Sequence, residues 1–282
     1  MKLKPFVNVS GQGPALVLLH GWGLHGGIWE TVLPQLESQF TVHNIDLPGF
    51  GYSPVHNGDY TFDYLVDSVA AVLPEKCFLL GWSLGGMVAT KLAIDLPDKI
   101  EKLITVASNP SFVANDDWHG MQAQVLESFI QYLEEDYEGT LIKFLGIQTM
   151  GSATQKDDIK KLKDTVFIHG QPSKKALRGG LQILHDINLV PELAKLNVPA
   201  LRIYGRLDSL VPAKVAADVE NHLPNSQAIV YRRSAHAPFL SCTEEFCRDV
   251  TEFLVGRNQS CEEQNENSIN GEILLPLIEG NN

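Results

Sequence analysis

Residues 77–94, CFLLGWSLGGMVATKLAI, constrain the fold of this chain more than any other stretch. An apolar run predicts a buried strand over residues 77–80, and small and apolar side chains predict a helix over residues 84–94. The turn between them, GWSLG, matches the pattern G-x-S-x-G in a strand–turn–helix context. Glycines suit such a sharp turn, because a Cβ atom at either end would press on the strand or the helix. The pattern predicts Ser83 as a nucleophile held out at the carboxyl edge of the sheet; the alternative is a glycine-rich turn with an incidental serine.

Strand and helix signals alternate along most of the chain, which predicts an α/β fold with a mainly parallel central sheet flanked by helices. The alternation stops between residues 110 and 190, where helical periodicity without a convincing strand predicts a helical lid inserted into this fold. The last segment is rich in Asn and Glu and predicts a disordered tail. The expected division is a core at 1–109 and 191–256, a lid at 110–190 and a tail at 257–282.

Composition limits the classes of partner. The 282 residues carry a net charge of −12, which argues against binding nucleic acid or an anionic membrane surface. A signal-peptide core and a run of about 18 apolar residues are both missing, so a cytoplasmic protein is expected. We expect no metal and no cofactor, because the cysteines lack metal-type spacing and suit reduced structural thiols. They are Cys77, Cys242, Cys247 and Cys261.

A second glycine pattern competes with the serine motif. Residues 21–26, GWGLHG, formally match the dinucleotide-binding pattern G-x-G-x-x-G, and Asp46 follows at a spacing suited to a ribose contact. However, Pro34 interrupts the helix predicted over residues 28–38, and Trp22 would crowd an approaching phosphate. A dehydrogenase also has no use for a nucleophilic serine. The sequence therefore favours a hydrolase over a Rossmann-type dehydrogenase.

Ser83 needs two partners, because a serine hydroxyl is a weak nucleophile until an imidazole takes its proton and an acid orients that imidazole. In this strand–turn–helix context the partners are expected downstream, in the order acid then histidine, in loops after strands. Asp208 follows a predicted strand at 200–204, and His236 follows the next one at 227–231. The sequence therefore predicts a catalytic triad of Ser83, Asp208 and His236.

Two backbone N–H groups are needed to stabilise an oxyanion. The expected donors are Leu84, which follows the nucleophile, and Trp22, in the loop after an early strand predicted at 15–19. His20 is expected to be a structural histidine that bonds backbone groups. Asp46 is expected to form a turn rather than to act as an acid.

Together these motifs resemble the α/β-hydrolase family over residues 3–256. More narrowly, the chain is similar to the esterases of biotin synthesis that hydrolyse the methyl ester of pimeloyl-[acyl-carrier protein]. The narrower resemblance rests on short matches, several of them in the predicted lid: LLHGWGL at 18–24, TVAS at 105–108, FL at 144–145, QTMG at 148–151, GGL at 179–181 and AHAPF at 235–239. It implies attack by Ser83 on the ester, release of methanol and hydrolysis of an acyl-enzyme.

The resemblance also implies which residues contact substrate. Apolar members of the set suit a methylene chain, although core packing is an equal alternative for the two apolar lid residues at 144–145. The implied contacts are Trp22, Ser83, Leu84, Phe144, Leu145, Gly146, Ile147, Gln148 and His236.

The implied partner is an acyl carrier protein, and because both proteins are acidic, docking needs a local basic patch. Residues 139–185 contain eight bases and three acids, a balance of 8 − 3 = +5. The resemblance implies docking on Lys143, Lys156 and Lys160, while Gly139 stands where a further base is expected. The alternative for this basic stripe is an ordinary solvated helix face. The chain is expected to be a monomer.

Three other functions remain open from the residues alone. A broad short-chain carboxylesterase and a carbon–carbon bond hydrolase would use the same triad. A non-catalytic ligand receptor could also be built on the same fold.

Overall fold

Apolar runs without polar alternation form the central strands, as expected for a sheet covered on both faces. The computed structural model describes residues 3–152, 154–166, 168 and 171–256, so the tail predicted at 257–282 lies outside the described residues. Within them the strands are β1 (Val7–Gly11), β2 (Ala15–Leu19), β3 (Thr41–Ile45), β4 (Cys77–Trp82), β5 (Ile100–Val106), β6 (Ala200–Gly205) and β7 (Gln227–Tyr231).

The described strands form one seven-stranded sheet in the order β1-β3-β2-β4-β5-β6-β7. β1 is antiparallel to β3, and all the other pairs are parallel. In the register, Leu19 is paired with Gly81 and Trp82 with Val106. The carboxyl ends of β2, β4 and β5 therefore meet at one edge of the sheet, where ligands of parallel α/β folds usually bind.

Helices cover both faces of this sheet and form the segment between β5 and β6. The α-helices of the described residues are α1 (Leu33–Leu36), α2 (Phe62–Ala70), α3 (Leu84–Asp95), α4 (Ala123–Glu135), α5 (Tyr137–Thr149), α6 (Gln155–Val166), α7 (Lys174–Asp186), α8 (Val215–His222), α9 (Pro238–Ser241) and α10 (Thr243–Val255). Each helix in this part of the chain falls short of the length and hydropathy that crossing a membrane requires.

Four of these helices, α4 to α7, lie within the segment expected to be a lid. α4 packs on both α5 and α7, and α5 packs on α6. Their inward faces are apolar, as the helical periodicity indicates, with Leu126, Phe129 and Leu133 of α4 all buried. Among the described residues of this segment, extended pairing is limited to isolated bridges such as Ser111 with Asn188.

The prediction of one long helix over residues 28–38 is wrong. The chain instead forms a single 3₁₀ turn at Gly26–Trp29 and the one-turn helix α1. Pro34 lies in the first turn of α1, where its missing N–H costs nothing, so it begins a short helix rather than interrupting a long one.

The described cysteines are free thiols. Cys77 and Cys247 are buried, and Cys242 is half-buried. Burial raises the pKa of the Cys77 thiol to about 12, so this cysteine stays protonated and unreactive at neutral pH.

His20 joins the loops that follow β2 and β3. Its ring is fully buried, with Nδ1 2.8 Å from the carbonyl oxygen of Gly21 and Nε2 2.8 Å from the backbone nitrogen of Leu47. A neutral ring satisfies both contacts, since Nδ1–H donates to the carbonyl and Nε2 accepts from the amide. Burial lowers the pKa of His20 to about 4, although the nearby carboxylate of Asp46 opposes the shift.

We expect His20 to make folding stability depend on pH. The unfolded chain protonates this ring near its ordinary pKa of 6.5, whereas the folded chain does so only near 4. Between these values the unfolded state binds more protons, so the free energy of unfolding falls as the pH is lowered, by up to about 1 kcal/mol per pH unit. Urea unfolding of wild type and His20→Gln at pH 7 and pH 5 measures the effect.

His20→Gln should be less stable than wild type at pH 7 and should lose less stability on acidification. Equal losses in the two proteins would contradict this role of His20.

Candidate active site

Ser83 occupies the sharp turn between β4 and α3. Its φ of 54° and ψ of −119° lie outside the regions that L-residues favour. Its backbone N–H donates to the carbonyl oxygen of Val106 at 2.9 Å, which ties the turn to β5. A Cβ atom on Gly85 would lie 2.5 Å from the carbonyl oxygens of Leu19 and His20, so only glycine allows α3 to approach β2 this closely. The glycine spacing of the motif thus has a direct steric cause.

The structure brings the three predicted triad residues together. His236 Nε2 lies 3.0 Å from Ser83 Oγ, and His236 Nδ1 lies 2.7 Å from Asp208 Oδ2. Because an ionised carboxylate only accepts hydrogen bonds, Nδ1 carries the proton and Nε2 presents its lone pair to the serine hydroxyl. The other oxygen of Asp208 accepts from the backbone N–H groups of Leu210 and Val211, at 2.8 and 3.0 Å. This arrangement can remove a proton from Ser83.

The site is closed off from solvent in this conformation. Ser83 is 2% exposed and His236 0% exposed. The backbone of His236 is held from two sides: its N–H donates to the carbonyl oxygen of Gln148 at 3.0 Å, and its carbonyl accepts from the indole N–H of Trp82 at 2.7 Å. Helix α5 and the central strand β4 thus both position His236, and exclusion of water strengthens its hydrogen bonds.

Of the two expected oxyanion donors, Leu84 directly follows Ser83, and the loop that carries Trp22 approaches the turn. Leu84 is the first residue of α3, and an N–H group in the first turn of a helix has no acceptor within that helix. A Cβ on Gly21 would lie 3.1 Å from the Cβ of Ser83, so the chain just before Trp22 touches the turn. The side chain of Trp22 is anchored to the lid, since its indole N–H donates to the carbonyl oxygen of Leu177 at 2.7 Å.

The lid residues expected to contact substrate divide into buried and cleft-facing groups. Phe144, Leu145 and Gln148 are buried, whereas Gly146 and Ile147 line an open cleft. The amide oxygen of Gln148 is buried without a hydrogen-bond partner among the described residues.

An aromatic series links the lid to the loop after β2. The ring centroid of Phe144 lies 4.7 Å from that of Trp22 and 5.3 Å from that of Phe129, both in edge-to-face geometry. Phe129 also lines the open cleft, which runs between α4 and α5 and has a volume of ≈ 620 Å³. The cleft walls are mostly apolar and include Val125, Phe129, Tyr132, Ile147 and Met150, with Lys143 among the lining residues.

The three lysines expected to dock a carrier protein are exposed on the surface of α5 and α6. Lys143 is exposed on α5, with Nζ 5.4 Å from the ring centroid of Tyr132. Lys156 and Lys160 are exposed on α6, whose opposite face buries Leu162. Exposure of this kind fits both a docking surface and an ordinary solvated face.

The loop after β2 is not built for a dinucleotide. Asp46, the residue expected to form a turn, accepts from the backbone N–H groups of Gly26 and Tyr52, at 2.7 and 2.8 Å. Both carboxylate oxygens are thereby used inside the protein, and the 3₁₀ turn at Gly26–Trp29 offers no long helix to a pyrophosphate. Among the described residues, no group of three His, Cys, Asp or Glu side chains is arranged to hold a metal ion.

Two backbone contacts of His236 were not predicted from the sequence. Trp82 stood inside the serine motif, yet nothing in the pattern indicated that its indole holds His236. Gln148 was expected as a substrate contact through the resemblance, but its carbonyl contact with His236 depends on how the lid packs.

Residues 14–241 match the family model described as the alpha/beta hydrolase fold. The chain is 47% identical over 246 residues to the pimeloyl-[acyl-carrier protein] methyl ester esterase of Vibrio parahaemolyticus, covering 86% of this chain and 95% of that protein. It is 46% identical over 251 residues to the esterase of the same name from Aeromonas salmonicida, covering 89% and 98%.

Solved structures share the architecture at lower identity. An esterase from Exiguobacterium antarcticum superposes with a TM-score of 0.80 at 23% identity, covering 89% of this chain and 95% of that one. This likeness concerns the fold and confirms the predicted fold class. The chain belongs to the α/β-hydrolase family and, within it, to the group of the pimeloyl-[acyl-carrier protein] methyl ester esterases.

Proposed function

We propose that this protein is a serine carboxylesterase that hydrolyses the methyl ester of pimeloyl-[acyl-carrier protein] to pimeloyl-[acyl-carrier protein] and methanol, in biotin biosynthesis. The observation that carries the proposal is the buried hydrogen-bonded series from Asp208 through His236 to Ser83, in a chain 47% identical to a relative of that name. The groups proposed for the chemistry all come from one chain, so the mechanism requires no second subunit, and we take the enzyme to be a monomer. Free cysteines suit a cytoplasmic location, where thiols stay reduced.

The first half of the reaction forms an acyl-enzyme. Ser83 Oγ attacks the ester carbonyl carbon while its proton passes to His236 Nε2. The negative charge on the carbonyl oxygen is stabilised by the backbone N–H groups of Leu84 and Trp22. The carbon–oxygen bond to the methoxy group then breaks, and His236 returns the proton so that methanol leaves. Asp208 stabilises the charged imidazolium between these steps.

The second half releases the acid. A water molecule replaces methanol beside His236, gives it a proton and attacks the acyl carbon. The same two N–H groups hold the second oxyanion. The bond to Ser83 Oγ breaks, the serine recovers its proton from His236, and the free pimeloyl carboxylate leaves. The sum is ester plus water to acid plus methanol.

The cleft between α4 and α5 is an argument for an extended acyl substrate. Its apolar walls suit a methylene chain, and its wall residue Phe129 contacts Phe144, which contacts Trp22 beside the turn. Because Ser83 is 2% exposed, a long substrate has to displace part of this aromatic series to reach it. Movement of a lid in this way is common in enzymes that exclude water during the reaction.

A carrier protein would bind next to this cleft. Lys143 lines the cleft, and Lys156 and Lys160 are exposed on α6, which packs on α5. The excess of bases in residues 139–185 gives a chain of net charge −12 a local site for an acidic partner.

Asp208→Asn should lower kcat by about 10³- to 10⁴-fold, because the asparagine amide favours the wrong histidine tautomer. The measurement is hydrolysis of a small aryl ester. Asp46→Asn is the matched control: this buried aspartate also accepts two backbone N–H groups but does not contact His236. It should lower the melting temperature and leave kcat nearly unchanged. A loss below tenfold in Asp208→Asn would contradict the proposed role.

Incubation with the methyl ester of pimeloyl-[acyl-carrier protein] should lower the mass of the acylated carrier by one CH₂ group. Ser83→Ala should abolish this change and labelling by a serine-directed phosphonate. Parallel assays with short free esters and with vinylogous diketones test a broad carboxylesterase and a carbon–carbon bond hydrolase. Turnover of those compounds, with the carrier-linked ester left intact, would refute the proposed substrate.

Lys156→Glu combined with Lys160→Glu should lower kcat/KM on the carrier-linked ester by roughly tenfold at low ionic strength, since charge reversal removes electrostatic steering. A small aryl ester should be hydrolysed as by wild type. Lys76→Glu combined with Lys214→Glu, two exposed lysines outside the lid, is the control. Equal losses on both substrates, or an equal effect of the control pair, would argue against docking at α6.

A further inference from the structure

Two non-glycine residues of the described chain have a positive φ angle, Ser83 at 54° and Ala107 at 42°. Each directly follows a central strand, β4 or β5, and these strands pair with Trp82 opposite Val106. The unusual backbone is therefore concentrated at one point of the sheet edge, as is common at functional sites. The turn that carries the proposed nucleophile explains the positive φ angle of Ser83 but not that of Ala107.

The turn at Ala107 directs the next side chain, Ser108, to the back of the nucleophile. Ser108 Oγ donates to the carbonyl oxygen of Ser83 at 2.8 Å, and Ser108 is 5% exposed. Ala107 is itself anchored to the sheet, since its N–H donates to the carbonyl oxygen of Ile203 at 2.7 Å.

The space for Ser108 depends on Gly86. A Cβ atom on Gly86 would lie 2.5 Å from both Cβ and Oγ of Ser108. Position 86 therefore has to be glycine, because a larger residue would keep the hydroxyl of Ser108 from reaching the turn. Gly85 is required by the contact with β2, which does not explain why position 86 is also a glycine.

The carbonyl that Ser108 binds belongs to the same peptide unit as the N–H of Leu84. A trans peptide is planar, and its C=O and N–H point in opposite directions. A hydrogen bond that fixes the carbonyl of Ser83 on one side therefore fixes the direction of the Leu84 N–H on the other. It also polarises the peptide and makes that N–H a stronger donor.

We propose that Ser108 is a positioning residue that aims and strengthens the oxyanion donor Leu84 N–H through the Ser83–Leu84 peptide. This inference rests on the proposed role of Ser83 as the nucleophile. The same carbonyl also accepts from Gly86 N–H at 2.9 Å and Met87 N–H at 3.3 Å. Those donors belong to α3 and move with it, whereas Ser108 follows β5 and holds the peptide relative to the sheet.

The test compares Ser108→Ala with wild type on a small aryl ester. Loss of one direct oxyanion donor costs about 10²- to 10³-fold in kcat, so loss of its support should cost roughly tenfold, with KM unchanged. Phosphonate labelling of Ser83 should slow in parallel. Thr90→Val is the matched control, because Thr90 is a buried hydroxyl that bonds Gly86 O at 2.8 Å and lines the same small cavity without contacting the Ser83 carbonyl.

Two further variants separate the hydroxyl from side-chain volume. The side chains introduced by Ser108→Thr and Ser108→Val have the same shape and differ in the hydroxyl group. The ≈ 20 Å³ cavity beside Ser108 offers room for the methyl group that both of them add. Threonine should restore kcat and valine should not. Equal kcat in these two variants, or an equal fall in Thr90→Val, would overturn the inference. Full activity of Ser83→Ala would instead refute the proposed nucleophile, which keeps the two failures distinct.

Discussion

The backbone conformation of Ser83 is the constraint on which the rest of the site depends. Its φ of 54° and ψ of −119° turn the chain from β4 into α3 within one residue, which aims the side chain at His236 and frees the first N–H of the helix. An isolated chain would not keep this conformation. It persists because β2 and β5 flank β4 and pack against both sides of the turn.

The neighbours of the turn explain several other residues. Close packing against β2 requires Gly85, and the approach of the Ser108 side chain requires Gly86. His20 and Asp46 serve the same region indirectly, because they tie the loops after β2 and β3 to each other. Most of the polar groups at this sheet edge thus hold backbone in place, and only Ser83, Asp208 and His236 form the series proposed to move protons.

The helical segment between β5 and β6, proposed as a lid, contributes a contact to the site. The carbonyl of Gln148 lies in the last turn of α5, where helical carbonyls lack internal partners, and it accepts from the N–H of His236. The position of His236 is thereby linked to the position of α5. The same helix carries Phe144 on its buried side and Lys143 on its exposed side, so one element joins the aromatic path to the basic surface.

The sequence by itself determined the fold class and predicted which residues form the site. Apolar runs, the G-x-S-x-G turn and the order of Asp208 and His236 can be read directly from the chain, which is why β2 and β7 were predicted at their observed limits and the α/β-hydrolase fold is confirmed. Tertiary structure alone decided the contacts of Gln148, Trp82 and Ser108 with the site. Those contacts join residues far apart in the chain, and their geometry depends on strand register and lid packing, which no local pattern encodes.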